Sequence, residues 1–132
     1  MNKFKDEKAV LIVGGYGIVG KQIASILRQR YPERPLLIAG RDIKKAKEFA
    51  DSLGHAEGIA MDVMNPNQIS PLHGELAAVV TATNDPNNYM LLDAIRNQIP
   101  YIDVTRWTAR LKEAILRISG EKITQPVIFS SA

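Results

Sequence analysis

The chain has 132 residues, 45% of them hydrophobic and 23% charged, with a formal net charge of +3. That is the size and balance of one soluble domain of about 100–150 residues, able to bury about two-thirds of its unfolded surface, which excludes disorder and collagen-like structure. With no cysteine, and only His55 and His73 among histidines, the chain has no ligands for disulfide scaffolds, iron–sulfur clusters, thiolate zinc or histidine-rich metal sites.

The N-terminus, Met1 to Lys8, mixes charges and lacks the apolar core of a signal peptide. The longest apolar stretch, Ala9 to Gly20, is interrupted by glycines and is shorter than the ~20 residues a membrane span needs. A cytoplasmic protein without a membrane partner is expected. Lys44, Lys45 and Lys47 stand among acids as a solvated helix face, and no basic stripe with interleaved aromatics points to nucleic acid.

Apolar runs rich in β-branched residues alternate with segments of helical period. Val10–Val13 predicts a first strand ending at glycines, and a helix over about Ile18–Gln29 should turn Val19, Ile23, Ile26 and Leu27 inward. Leu36–Ala39 is a second strand ending at Gly40, followed by a helix that Asp42 caps, that repeats Ile43, Ala46, Phe49 and Leu53, and that Gly54 ends. Gly58–Val63 predicts a third strand, and Asn65-Pro66 a cap for a short helix near 67–72. Leu76–Ala82 is a fourth strand, and Asp85-Pro86 caps a helix to about Asn97 with Met90, Leu91, Ala94 and Ile95 inside. Tyr101–Val104, a helix through Leu111, Ala114, Ile115 and Ile118 to Gly120, and the run Val127–Phe129 complete six strands. Continuously apolar strands separated by helices mean a parallel sheet buried on both faces with right-handed crossovers. The expected fold is α/β: a Rossmann-type doubly wound six-stranded sheet of order 3-2-1-4-5-6, one domain over 1–132.

The most informative segment is Gly14-Gly15-Tyr16-Gly17-Ile18-Val19-Gly20. It holds Gly15-x-Gly17-x-x-Gly20 between a predicted strand and a predicted helix, the context that gives this short pattern weight. Gly15 suits a tight turn, Gly17 lets a pyrophosphate touch the backbone, and Gly20 lets the helix pack closely. The unpaired N–H groups near Ile18 and Val19 carry partial positive charge and bind phosphate. The same residues spell most of a nucleoside-triphosphate loop, Gly15-x-x-x-x-Gly20-Lys21, but Gln22 stands where a magnesium-binding Ser or Thr is needed.

Adenine dinucleotides are told apart at the end of the second strand: a carboxylate ~20 residues past the glycines accepts from the ribose 2′-hydroxyl of NAD, and arginine holds the 2′-phosphate of NADP. Here the strand ends Ala39-Gly40-Arg41-Asp42. Gly40 leaves room for a phosphate and Arg41 offers a planar fork. Asp42 is a ribose ligand or, by preference, the N-cap of the next helix, so NADP is favoured with NAD as the alternative. Asp62 and Val63 should lie beside the adenine, unless Asp62 only caps its turn. Thr81, Ala82 and Thr83 should line the switch point, with Asn84 a weaker candidate.

These motifs, with Tyr101-Ile102-Asp103-Val104, resemble the NADP-binding N-terminal domain of the saccharopine dehydrogenase family over nearly the whole chain. Short-chain dehydrogenases share similar words but need Tyr-x-x-x-Lys, and no tyrosine here has lysine at that offset. The resemblance implies a larger protein, whose second domain binds substrate, and reversible hydride transfer between a nicotinamide and a carbon bearing nitrogen in a small amino-acid-like molecule. The stop at Ser130-Ser131-Ala132, just after an apolar run, reads as the N-terminal part of such a protein, inactive alone.

No catalytic group is assigned. Asp103 could orient substrate but is better read as a loop cap toward Thr105; Trp107, after Arg106, could wall the nicotinamide pocket or simply pack; His73 belongs to a surface turn beside Gly74. Against the oxidoreductase portion stand a non-enzymatic dinucleotide-sensing regulatory domain, which usually carries an acid at the end of strand two, and an interaction domain without a ligand. A sheet edge or face left open could pair two chains as a homodimer.

Overall fold

The computed structural model describes residues 7–106 and 108–131, so the expectations for residues 1–6 and for Trp107 fall outside the described residues. Six strands, β1 (Ala9–Val13), β2 (Leu36–Gly40), β3 (Ala56–Ala60), β4 (Leu76–Thr81), β5 (Tyr101–Arg106) and β6 (Val127–Ser131), form one sheet. Every pairing is parallel and the order is β3-β2-β1-β4-β5-β6, as expected. Four helices cross between them: α1 (Ile18–Arg30), α2 (Ile43–Leu53), α3 (Tyr89–Arg96) and α4 (Thr108–Ile118).

Strands β1 and β2, and β4 up to Thr81, are unbroken apolar runs because both of their faces are covered. Successive side chains alternate faces, so Ile12, Leu36 and Ile38 pack with Ala24, Ala46 and Ala50 of α1 and α2. Leu11, Val13, Leu37 and Val79 pack on the other face with Met90, Leu91 and Ile95 of α3 and Ala114 and Ile118 of α4.

The helices meet the sheet through smaller residues than expected. In α1 the buried positions are Gly20 and Ala24, while Val19 and Ile26 are 42% and 51% exposed. Ile43 and Ile115 also face solvent, whereas Met90, Leu91, Ala94 and Ile95 are buried as expected. The cause is close approach. A Cβ on Gly58 of β3 would overlap the Lys47 amide nitrogen and the Ala46 carbonyl of α2. Beneath helices lying this near, Gly and Ala take the contact and larger residues are turned to the flanks.

Three local expectations are corrected. Strand β3 ends at Ala60, so Asp62 and Val63 lie in the turn beyond it. Asn65-Pro66 starts no helix; a 3-10 turn follows at Ser70–Leu72. It is fastened by buried Asp93 of α3, which accepts from the amides of Ile69 (2.6 Å) and Ser70 (3.2 Å), from the Ser70 hydroxyl (2.8 Å) and from the Asn97 side-chain amide (3.0 Å). A remote carboxylate here satisfies amides that a local cap would otherwise serve. Helix α3 begins only at Tyr89, because Asn88 adopts a left-handed conformation (φ 57°). Asp85 still caps it, accepting from Tyr89 N–H (3.1 Å) and Met90 N–H (2.8 Å). Among the described residues, no helix is long and apolar enough to cross a membrane.

Candidate functional site

The turn after β1 is built on Gly14, not Gly15. Gly14 takes the positive angle (φ 78°), and the amides of Gly14 and Gly15 both donate to the Ala39 carbonyl, at 2.8 and 3.1 Å. Gly15 serves close packing instead: a Cβ there would come within 2.8 Å of Ile38 Cγ2 and 2.9 Å of the Ile12 carbonyl. At Gly20 a Cβ would overlap the Gly14 carbonyl oxygen, so this residue seats α1 against its own loop. Gly17 differs from both. It is exposed, its backbone is ordinary (φ −74°, ψ 176°), and a Cβ there would meet only the Gly14 carbonyl oxygen, at 3.4 Å. The bareness of Gly17 therefore leaves space beside the start of α1, not inside the fold.

The first main-chain bond closing α1 runs from Lys21 N–H to the Gly17 carbonyl at 2.8 Å. The amides of Ile18, Val19 and Gly20 precede it and have no helical acceptor. No acid stands in this first turn, so its positive end is uncompensated.

The loop borders a cleft of about 420 Å³ over the carboxyl ends of β1, β2 and β4, a volume typical of small-molecule sites. Tyr16, Gly17, Arg41, Asp62, Val63, Ala82, Thr83 and Asn84, all expected from sequence, line it together. Gly15 and Gly20 lie behind the loop, and the Ile18 and Val19 side chains point to solvent. Thr81 is fully buried, and neither it nor Asp42 lines the cleft. Met61, Met64 and Pro86 line it without having been singled out; their only sequence signal is adjacency to Asp62-Val63 and to Asp85.

At the end of β2, Asp42 is the N-cap preferred from sequence, its Oδ1 accepting from Lys44 N–H (3.0 Å) and Lys45 N–H (3.3 Å). Its own amide donates to the Tyr16 hydroxyl at 2.9 Å. The space over Gly40, expected to admit a phosphate, is filled by the Tyr16 ring. Arg41 is exposed on the cleft rim and has no hydrogen-bond or ion-pair partner among the described residues. Asp62 caps its own turn, accepting from Met64 N–H at 3.0 Å, and its amide donates to Gln68 Oε1 at 3.3 Å.

Beneath the far end of the cleft, β5 carries a buried ion pair. Arg106 donates to Asp103 Oδ2 through Nε (3.0 Å) and Nη2 (2.7 Å), and through Nη1 to Asn88 Oδ1 (2.7 Å). Its guanidinium lies 5.4 Å from the Phe129 ring centroid. Asp103 also accepts from the Tyr101 hydroxyl (3.0 Å) and, as the expected loop cap, from Thr105 N–H (3.1 Å). At 2% exposure it is out of a substrate's reach. Burial, reinforced by the Asp103 charge, pushes the Tyr101 phenol far up, so it remains a donor. Burial also raises Asp85 above the usual carboxylate range, against the opposing pull of its amide bonds to α3 and of Arg106. The loop between β4 and α3 is held from outside by Arg110, which donates to the Pro86 carbonyl (2.7 Å) and Asn84 Oδ1 (3.2 Å), and by the Thr105 hydroxyl, which donates to the Thr83 carbonyl (3.2 Å). His73 sits in an exposed turn beside Gly74. Among the described residues, no group of His, Cys, Asp and Glu could hold a metal.

Among solved structures, the chain is similar to the apo histidine-tagged saccharopine dehydrogenase (L-Glu forming) from Saccharomyces cerevisiae: TM-score 0.67, 20% identity, covering 80% of this chain and 23% of that one. It is also similar to Pen from Bacillus thuringiensis (TM-score 0.65, 18% identity, 96% of this chain and 50% of that one). A short chain dehydrogenase/reductase family protein aligns with TM-score 0.56 and 16% identity over 76% of this chain and 56% of its own. These likenesses show the fold, and the chain spans between 23% and 56% of those proteins' lengths. No curated protein matches the sequence. The family model of the saccharopine dehydrogenase NADP binding domain matches residues 10–125, so the chain belongs to that family.

Proposed function

We propose that this domain binds NADP in preference to NAD and presents the nicotinamide for hydride transfer in a saccharopine dehydrogenase-like oxidoreductase. The observation that carries the reading is the pairing, on one cleft of about 420 Å³, of the open Gly17 edge with Arg41, which has no partner among the described residues. A dinucleotide needs both an amide cradle for its diphosphate and a cation for its 2′-phosphate, and the residues present fit that need. The amides of Ile18 and Val19 would hold the diphosphate and Arg41 the 2′-phosphate. Asp62 and Val63 would border the adenine, and Ala82 and Thr83 would let the nicotinamide half pass across β4. Asp42 gives its Oδ1 to the cap of α2 and stands outside the cleft lining, which disfavours it as the acceptor for a ribose 2′-hydroxyl and so favours NADP.

When bound, the nicotinamide supplies the hydride chemistry; the protein's share is binding and orientation. A second domain would bring a small amino-acid-like substrate carrying nitrogen on the reacting carbon, so this stretch alone would be inactive. A cytoplasmic location and self-pairing through an uncovered sheet edge or face belong to the same proposal. The test is calorimetric titration with NADPH and NADH. NADPH should bind at least about tenfold more tightly, the 1.4 kcal/mol that one charged hydrogen bond can supply. Equal affinities would refute the NADP preference, and no binding of either would refute the dinucleotide reading.

A further inference from the structure

Gly40 lacks the usual reason for a glycine. It is a strand residue in register with Ala60 of β3, its carbonyl accepts from Met61 N–H at 2.8 Å, and its φ is outside the left-handed region. Any residue could adopt that backbone. What excludes a side chain is Tyr16: a Cβ at position 40 would lie 2.6 Å from Tyr16 Cζ and 2.8 Å from its hydroxyl oxygen, and would overlap Cε2. The ring is not free to yield without loss, because its hydroxyl accepts from Asp42 N–H at 2.9 Å. Tyr16 thus spans from the glycine loop to the β2–α2 turn, with Arg41 between its two points of contact.

The position matters chemically. Residue 40 ends β2 and stands twenty residues past Gly20. That is about where folds that select NAD place the carboxylate for the ribose 2′-hydroxyl. We propose that Tyr16 is the specificity-determining residue of this cleft: its ring occupies the volume such a carboxylate would need, and its hydroxyl anchors the turn that presents Arg41 to a 2′-phosphate. The inference rests on the dinucleotide reading above and deepens it, since it assigns the choice of cofactor to a residue of the glycine loop as well as to the end of β2. Tyr16 and Gly40 are then one device: no side chain can be added at position 40 without displacing the Tyr16 ring.

The test compares the unaltered chain with Gly40→Asp, Tyr16→Ala and the double variant. Without nucleotide, Gly40→Asp should lower the melting temperature on the order of 5 °C, the scale of core overpacking. The same change on the Tyr16→Ala background should cost little. Equal losses on both backgrounds would overturn the interlock; Gly40→Ala reads the same coupling should Gly40→Asp not fold. With nucleotide, Tyr16→Phe, which keeps the ring and loses the hydroxyl, should weaken NADPH by about 3- to 10-fold and leave NADH within about twofold, the effect of one neutral hydrogen bond. The double variant should bind NADH the more tightly; a double variant that kept the original NADPH preference would overturn the specificity role. If the unaltered chain binds neither nucleotide, the dinucleotide reading fails and the specificity role with it, while the nucleotide-free coupling still decides whether Tyr16 and Gly40 interlock.

Discussion

Gly17→Ala should separate binding from stability. The methyl would meet only the Gly14 carbonyl oxygen, at 3.4 Å, which is ordinary contact, and φ −74° with ψ 176° suits alanine. Two small terms then oppose each other. Alanine is a poorer helix N-cap than glycine, by up to about 1 kcal/mol. It also restricts the unfolded chain, which stabilises by about 0.4–1 kcal/mol. The net change should lie within about 1 kcal/mol, or about 3 °C in melting temperature. Binding should respond very differently. A methyl on the open edge keeps a diphosphate from the amides at the start of α1. Loss of two charge-assisted hydrogen bonds, at about 1.5–3 kcal/mol each, weakens NADPH by about 10²- to 10⁴-fold. Calorimetric titration beside thermal melting measures both. Gly20→Ala is the contrast: its methyl would overlap the Gly14 carbonyl, so that variant should lose stability even without nucleotide. A Gly17→Ala chain with unchanged NADPH affinity, or one melting about 10 °C lower, would refute the reasoning.

Arg41→Ala should weaken NADPH by about 10- to 100-fold and leave NADH nearly unchanged, because the guanidinium has no partner to lose among the described residues; equal loss for both nucleotides in parallel titrations would contradict it. Asp103→Ala should cost about 3–5 kcal/mol in urea unfolding, since it strands the buried Arg106 guanidinium with Asn88 and the Phe129 ring. A loss under about 1 kcal/mol would show that water reaches Arg106. Because burial holds the Asp85 pKa above its unfolded value, its contribution is present at low pH and is lost as pH rises through the folded value. Melting curves between about pH 4 and pH 7 should therefore show Asp85→Asn gaining on the unaltered chain as pH rises, and a constant difference would contradict this.

The sheet order was legible because strands buried on both faces advertise themselves as unbroken apolar runs, as at Leu36–Ala39 and Leu76–Ala82. Asp42 and Gly54 bounded α2 correctly because capping is local chemistry. Where the reading failed, the cause was not local. Val19, Ile26, Ile43 and Ile115 fit helical spacing, yet Gly20, Ala24, Ala46 and Ala50 take the contact because helix and sheet approach more closely than spacing reveals. The Asn65-Pro66 signal lost to Asp93, a carboxylate 24 residues beyond the Ile69 amide it serves.

The site was legible to a similar depth. The glycine pattern marked the right loop, but the division of labour among Gly14, Gly15 and Gly17 depends on what lies across from each, namely Thr83, Ile38 and open space. Gly40 was read as room for a ligand because its occupant, the Tyr16 ring, comes from 24 residues upstream. Asp103 was recognised as a cap, while its pairing with Arg106 became visible only once β5 was seen to turn both inward.

The most direct measurement is the amide spectrum of the ¹⁵N-labelled chain during titration with NADPH. The account predicts its largest shifts at the Gly17, Ile18 and Val19 amides, with a second group at Arg41 and its neighbours. If those amides stayed in place at saturating nucleotide while others moved, the diphosphate would lie elsewhere and the account would be wrong.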